Sequence, residues 1–454
     1  MFHVDKFALQ LIKILNNAGY EGYLVGGCVR DLILERNPKD WDIATSACPD
    51  EIINVLKNNK IKYSTVGYNY GTVVAISILG IEYEITTYRS DVSYSDGRHP
   101  DSVNFEKSIE ADLSRRDFTM NALAYNPITD TLIDLFNGEE HIKRRIIRTV
   151  GNPDDRFKED ALRIVRALRF SIVYEFDIEP ETVGGMHNNV DLIDKVSKER
   201  LTSELKKMLA CKTPIKYDFM DFSDIVFKII PELKPCYKFN QNNKYHQHDA
   251  YEHILYVVDN CETDDYIVKL AALLHDIGKP DAYFVGDDGY GHFYGHPEIS
   301  YEITKKVLKN DLRLTREESD KLLTLVRYHD MQVASTPRSI KKLLNKFDID
   351  TINQWIVLKK ADEQDHIHLK DYYKYCIDEQ YIKDTIQRLL ENEACFKLKD
   401  LAIDGNDIMK LLNLKPCRHI GEILQTLLDE VIDEKISNDK DVLKARALEI
   451  YSTL

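Results

Sequence analysis

An α+β fold is predicted by three observations. Short apolar runs bounded by glycine and charged residues fill roughly the first 90 positions. From about residue 108 to the end, apolar residues recur at three- and four-residue spacing. The length, 454 residues, exceeds what one hydrophobic core organises. A mixed α/β region followed by several helical domains is therefore expected.

The elements follow in order. Residues 5–18 place Phe7, Leu11 and Leu15 on one helical face. GYLVGG reads as a short buried strand ending in a glycine turn, and VRDLILE opens a helix. WDIAT reads as a strand, and PDEIINVLKNN as a helix with proline and two acids in its first turn. YGTVVAISILG and IEYEITTYR form a hairpin that turns near Gly80. ADLSRRDFTMNALAY, KEDALRIVRALRFS and VSKERLTSELKKMLA read as helices. Residues 235–247, PCYKFNQNNKYHQ, are polar and turn-rich and read as a linker. The helical region beyond it holds most of the fourteen histidines. The last stretch, from about residue 385, is helical with a break at LKPC.

The net charge of −15 sets the chain against nucleic acid at long range, so RNA binding would need a local basic strip. KRRIIR, residues 143–148, and the Arg166/Arg169 face are candidates. Eight cysteines form neither a CxxC pair nor a zinc pattern and read as thiols of a reducing compartment. The N-terminal segment is an amphipathic helix rather than a signal peptide, and no stretch is apolar enough to cross a membrane. A cytoplasmic protein without a membrane partner is expected.

Three motif groups carry chemistry. In PKDWDIATSA, Asp40 and Asp42 are two residues apart, and on a strand they would share a face. Two carboxylates so close repel, and a hard divalent cation relieves the repulsion. A solvated turn or a helix cap is the alternative. Upstream, Gly26 and Gly27 would let backbone amides approach a triphosphate, and Arg30 would add a bidentate contact. In KEDALRIVRALRF, Asp160 and Arg163 would share a helix face. A carboxylate accepts from an exocyclic amino group and a guanidinium donates to a ring acceptor. Such a pair would take cytosine and adenine and reject uracil and guanine; an ordinary i,i+3 ion pair is the alternative. In the third group, LAALLHDIGKP, GHFYGHPE and VRYHD supply histidine and carboxylate donors typical of first-row divalent metals. His248 and His292 read as ordinary surface histidines.

LVGGCVRD followed by KDWDIATSA resembles the signature of class II tRNA nucleotidyltransferases, the CCA-adding enzymes, and of their poly(A) polymerase relatives. These belong to the polymerase β-like nucleotidyltransferase superfamily. The resemblance implies that Asp40 and Asp42 bind catalytic Mg2+, with Glu84 as a third acid and Glu82 as its rival. SRRDFTMNALAY is similar to the family's ribose and triphosphate motif, which assigns Arg116, Asp117 and Asn121 to the nucleotide. The base-reading motif maps onto Glu159, Asp160 and Arg163. VSKERLTSEL matches a family segment through Glu199, Arg200 and Glu204, taken as structural. YRSDVSYSDGRHPDSVNF resembles the family's flexible loop through Asp96, Gly97 and Arg98, which favours complete CCA addition. LLHDIGKP resembles the HD phosphohydrolases. That likeness implies His253, His275, Asp276 and Asp362 as ligands of a divalent transition metal. It places His296 and His329 on a second metal or a phosphate.

The implied order is a nucleotidyltransferase head over 1–135, a helical neck over 136–235, an HD domain over 240–370 and a tRNA-binding tail over 371–454. The implied reaction is template-independent addition of CCA to the tRNA 3′ end from CTP and ATP, with DNA not a substrate. A poly(A) polymerase, a CC- or A-only enzyme, or an HD phosphohydrolase acting on RNA 3′ or 2′,3′-cyclic phosphates are the alternatives. In KPCR, Cys417 and Arg418 stand where the family commonly has Gly-Pro.

Overall fold

A computed structural model describes residues 2–91, 103–106, 108–242, 247–364, 376–391 and 395–453. The chain divides into two compact units, Met1–Pro231 with Lys309–Arg313, and Glu232–Leu308 with Leu314–Leu454.

The first unit is built on a seven-stranded mixed sheet. Its strands lie in the order Lys62–Ser64, Thr72–Ile76, Glu82–Thr87, Asp42–Thr45, Gly22–Val25, Leu123–Asn126 and Thr131–Asp134. Asp42–Thr45 and Glu82–Thr87 run parallel, and the other neighbours antiparallel. The hairpin expected about Gly80 is present, with Gly80 at φ +79°. In Glu82–Thr87 the buried Tyr83, Ile85 and Thr87 alternate with Glu82, Glu84 and Thr86, which face outward. That alternation gives this strand one packed and one more open side. Val25, Ala44, Tyr88, Ile109, Leu113 and Ala124 pack together as one core cluster.

Two helices expected from periodicity are broken. In ADLSRRDFTMNALAY the helix Ile109–Ser114 stops, a 3-10 turn follows at Thr119–Asn121, and Leu123–Asn126 is a strand. That strand pairs with Gly22–Val25, and all four of its residues are buried. A fully buried strand shows the same unbroken apolar run as a buried helix, and here sheet pairing decides. In KEDALRIVRALRFS the helix Pro153–Glu159 ends at Asp160, whose backbone is extended (φ −144°), and a second helix runs Leu162–Tyr174. Asp160 and Arg163 therefore do not sit on one helix face.

The second unit is helical. Ala250–Asn260, Tyr266–Leu274, Arg316–Tyr328 and Ile349–Gln364 pack on one another. Tyr266–Leu274 is buried from Ile267 to Leu274, as its LAALL run requires. Toward the C-terminus Ile408, Ile423, Leu427, Leu428, Leu443 and Ala447 form a separate core. The break at LKPC is real: Asn413, at φ +49°, ends the helix Gly405–Leu412. No described helix is long and apolar enough to cross a membrane.

Candidate functional site

In the first unit a cavity of about 540 Å³ gathers Gly26, Gly27, Arg30, Asp40, Asp42, Arg116, Asp117, Asn121, Asp160 and Arg163. These were separate motifs in the sequence. Arg89, Arg115, Arg166, Arg169 and Arg200 join them, so eight arginines face four aspartates. A chain of net charge −15 thus concentrates positive charge where a polyanion would sit.

Gly26 joins the strand Gly22–Val25 to the helix Gly27–Ile33 with φ +71°. A Cβ there would lie 2.7 Å from Arg116 Nη1, so only glycine lets that guanidinium come in. Arg30 Nη1 donates to Asn121 Oδ1 (2.6 Å), and its guanidinium stacks 4.4 Å from the Tyr174 ring. Asn121 Nδ2 donates to Asp117 Oδ1 (3.0 Å), and Arg166 holds the other Asp117 oxygen through Nε (2.8 Å) and Nη2 (2.6 Å). Burial alone would raise the Asp117 pKa. The Arg166 guanidinium and the Asn121 amide outweigh it and keep the carboxyl well below the usual range. Arg116 and Arg115 share Asp112 (2.9 and 2.7 Å).

Asp40 is exposed in the bend before the strand, and Asp42 opens the strand, so the pair straddles its start. Asp42 is in register with Glu84 on the neighbouring strand, whereas Glu82 lies opposite Ile76. Glu84 is therefore the acid beside the pair. Burial first, then Glu84 and Asp40, push Asp42 up from 3.8 to about 6. A divalent cation would offset both the burial of this charge and its repulsion by Glu84 and Asp40, so the donor set fits a hard metal.

Asp160 is held by Arg200 (Nη2 2.6 Å, Nη1 3.1 Å) from the helix Lys198–Leu209. Arg163 donates to Glu159 Oε2 (2.6 Å) and to the carbonyls of Arg156 and Arg115. Asp160 and Arg163 thus line one cavity, each oriented by a different partner. The sequence missed two things here. Arg200, read as structural, lines the cavity. Arg166 and Arg169, read as an RNA-facing strip, turn inward, to Asp117 and to Glu204 respectively. Only the helical phase of Arg163, Arg166 and Phe170 hinted at this. Glu204 and Arg169 are 3% and 9% exposed. Glu204→Ala strands a buried guanidinium and is expected to cost about 3–5 kcal/mol. Thermal denaturation checks this, and an unchanged Tm would refute it. Asp96, Gly97 and Arg98 lie outside the described residues.

The second unit holds a distinct cluster. His253, His275, Asp276, His329 and Asp362 are buried, and His296 is half-buried beside them. Asp276 Oδ2 lies 3.1 Å from both His253 Nε2 and His275 Nε2, and Asp276 Oδ1 lies 3.2 Å from His296 Nε2. Asp362 Oδ1 is 3.3 Å from His253 Nε2. The Nδ1 atoms of His275, His296 and His329 donate to the carbonyls of Ala272, Phe293 and Val326, each three residues back. A carbonyl only accepts, so Nδ1 carries the proton and Nε2, pointing into the cluster, is the atom that could hold a metal. His296 Nε2 and His329 Nε2 face each other at 3.1 Å, which needs a shared proton or cation. Two groups of donor atoms, His253–His275–Asp276 and Asp276–His296–His329, converge closely enough for a metal and share Asp276. Burial opposes charging His275, yet Asp276 and Asp362 raise it to about 9. Lys279 Nζ lies 2.6 Å from Asp276 and 3.0 Å from Gln241 Oε1. His292 pairs with Asp288 outside this cluster.

The fold and sites define a class: a polymerase-type nucleotidyltransferase head followed by an HD domain. Family models match as a poly A polymerase head domain over residues 22–148, an HD domain over 241–373 and a tRNA nucleotidyltransferase domain 2 over 357–447. The chain belongs to the CCA-adding enzyme family. It is 32% identical over 447 residues to the CCA-adding enzyme of Ligilactobacillus salivarius, covering 96% of this chain and 95% of that one. It is 49% identical over 203 residues to that of Geobacillus thermodenitrificans, covering 45% of this chain and 49% of that one. Among solved structures, the Bacillus stearothermophilus CCA-adding enzyme in complex with CTP matches with TM-score 0.71 and 26% identity, covering 98% of this chain and 97% of that one.

Proposed function

We propose that this chain adds CCA to tRNA 3′ ends from CTP and ATP without a nucleic-acid template. The carrying observation is one arginine-lined cavity that holds Asp40 and Asp42 together with Asp160 and Arg163. Arg30 and Arg116 neutralise the triphosphate, and Asn121, held by Asp117, keeps Arg30 in place. Asp160 accepts from the exocyclic amino group shared by cytosine and adenine, and Arg163 donates to the neighbouring ring acceptor. Asp40, Asp42 and Glu84 are the residues that would hold Mg2+. When bound, the ions activate the 3′-hydroxyl and stabilise the leaving pyrophosphate. The protein contributes positioning and a preorganised field for in-line attack on the α-phosphate.

The test is incorporation of labelled CTP and ATP onto tRNA lacking its 3′ CCA, resolved at single-nucleotide length. Addition of C, C and A followed by a stop supports the reading. A long A ladder makes the chain a poly(A) polymerase, and a stop after CC makes it a partial enzyme.

The histidine cluster supports a second, phosphohydrolase activity, with His253, His275, Asp276 and Asp362 holding one divalent transition metal and Asp276, His296 and His329 a second. His275→Ala is expected to reduce bound metal, measured by elemental analysis, and to abolish phosphate release. CTP incorporation should persist, because no cavity residue of the first unit belongs to the cluster. Full metal content in that variant would refute the ligand assignment.

A further inference from the structure

From Asp42 the outward side of the strand Glu82–Thr87 leads to a group of exposed rings. Glu84 stands beside Asp42, Thr86 is two residues on, and Thr86 Oγ1 meets Thr72 Oγ1 at 2.9 Å. Immediately before Thr72 comes the turn Tyr68–Tyr70, bracketed by Gly67 (φ +97°) and Gly71 (φ +85°). Tyr68 and Tyr70 are 37% and 39% exposed, and Phe105 is 45% exposed. The Phe105 ring seats against Gly71, where a Cβ would come within 3.0 Å of it. Tyr68 Oη donates to Asp50 (2.9 Å), which anchors that ring by its edge. Arg89, directly opposite Phe105 in its strand pair, donates to the Tyr70 carbonyl and also lines the arginine cavity. A cleft of about 370 Å³ adjoins the two tyrosines. The sheet core explains none of these rings, and the reaction as derived above uses none of them.

We propose that Tyr68, Tyr70 and Phe105, with Arg89, form a stacking ledge for the single-stranded 3′ end of the RNA being extended. The chemistry fits that ligand in three ways. Aromatic faces bind bases whatever their identity, because every base has a π-face. A growing 3′ end presents a different terminal base after each addition, so it needs a surface indifferent to sequence. Arg89 adds a cation between ledge and cavity, where a backbone phosphate must pass. The position fits too. Thr87, whose amide bonds the Gly71 carbonyl, is three residues along the strand from Glu84, a rise of about 10 Å. The ledge lies beside the reacting end rather than on it. This inference rests on nucleotide addition to an RNA 3′ end being the reaction of the chain.

The test uses the full-length protein and tRNA ending before its CCA, with CTP incorporation measured against each substrate at saturating levels of the other. Wild-type incorporation checks the reaction itself, independently of the ledge. Tyr68→Ala and Tyr70→Ala are each expected to raise KM for tRNA about 5- to 100-fold, with KM for CTP changed by less than about twofold. Tyr70→Phe keeps the ring and is expected to match wild type, whereas Tyr68→Phe also loses its anchor on Asp50 and is expected to fall between wild type and Tyr68→Ala. An unchanged KM for tRNA in both alanine variants overturns the ledge. An equal rise in KM for CTP also overturns it, because the rings would then serve the nucleotide site or the fold.

Discussion

Asp42→Ala is expected to lower CTP and ATP incorporation at least about 10²- to 10³-fold while leaving the protein folded. The argument runs from geometry to energy. Asp42 is in register with Glu84 and two residues from Asp40, and burial and those neighbours raise its pKa from 3.8 to about 6. That elevation corresponds to about 3 kcal/mol against the charged form. The sequence keeps this destabilising arrangement at the entrance of a sheet strand, where a neutral residue would be easier to bury. Alanine removes the repulsion, so Tm should hold or rise even as incorporation disappears. Single-turnover incorporation with a parallel melting curve checks both halves. Retained incorporation would sink the metal assignment. A collapsed melt would make Asp42 structural instead.

Asp160→Ala should relax base choice. One buried acceptor for an amino group is worth about 1–3 kcal/mol, so discrimination between CTP and UTP should fall about 5- to 100-fold. The reason is asymmetric. In the proposed role, wild-type Asp160 would meet a uracil carbonyl with a second acceptor, so the two oxygens repel and the carbonyl gains no donor; alanine removes that penalty. Arg200 holds Asp160 by two hydrogen bonds. Arg200→Met should therefore show a weaker form of the same phenotype, with kcat for CTP less affected than selectivity. Competition between CTP and UTP on one tRNA measures it. Undiminished rejection of UTP in Asp160→Ala would count against the base-reading role.

The general architecture was legible in the sequence because it rests on local signals. The glycine turn at Gly26, the hairpin about Gly80 and the helices Lys6–Asn17 and Pro49–Asn58 each carry their own periodicity or turn chemistry. The strand Leu123–Asn126 was not legible. Its four buried residues look helical until Gly22–Val25 lies alongside. The break at Asp160 escaped for a related reason. Apolar spacing continues through it, and only the approach of Arg200, forty residues later, shows what the extended backbone is for. Among the candidate residues, motifs gave identities and left the partners open. Nothing local says that Arg166 clamps Asp117 or that Arg169 meets Glu204. Long-range ion pairs leave no period in a sequence.

The extended residue between two helices has a consequence for how this chain can change. Asp160 belongs to neither helix, and its carboxylate is aimed from a third segment through Arg200. The strand that bears Asp42 makes no part of that arrangement. If Asp160 reads the base as proposed, substitutions at Arg200 would shift which letter is written without touching the strand that bears Asp42. On that reading the alphabet of this chain and its chemistry would be free to drift apart, each under its own selection.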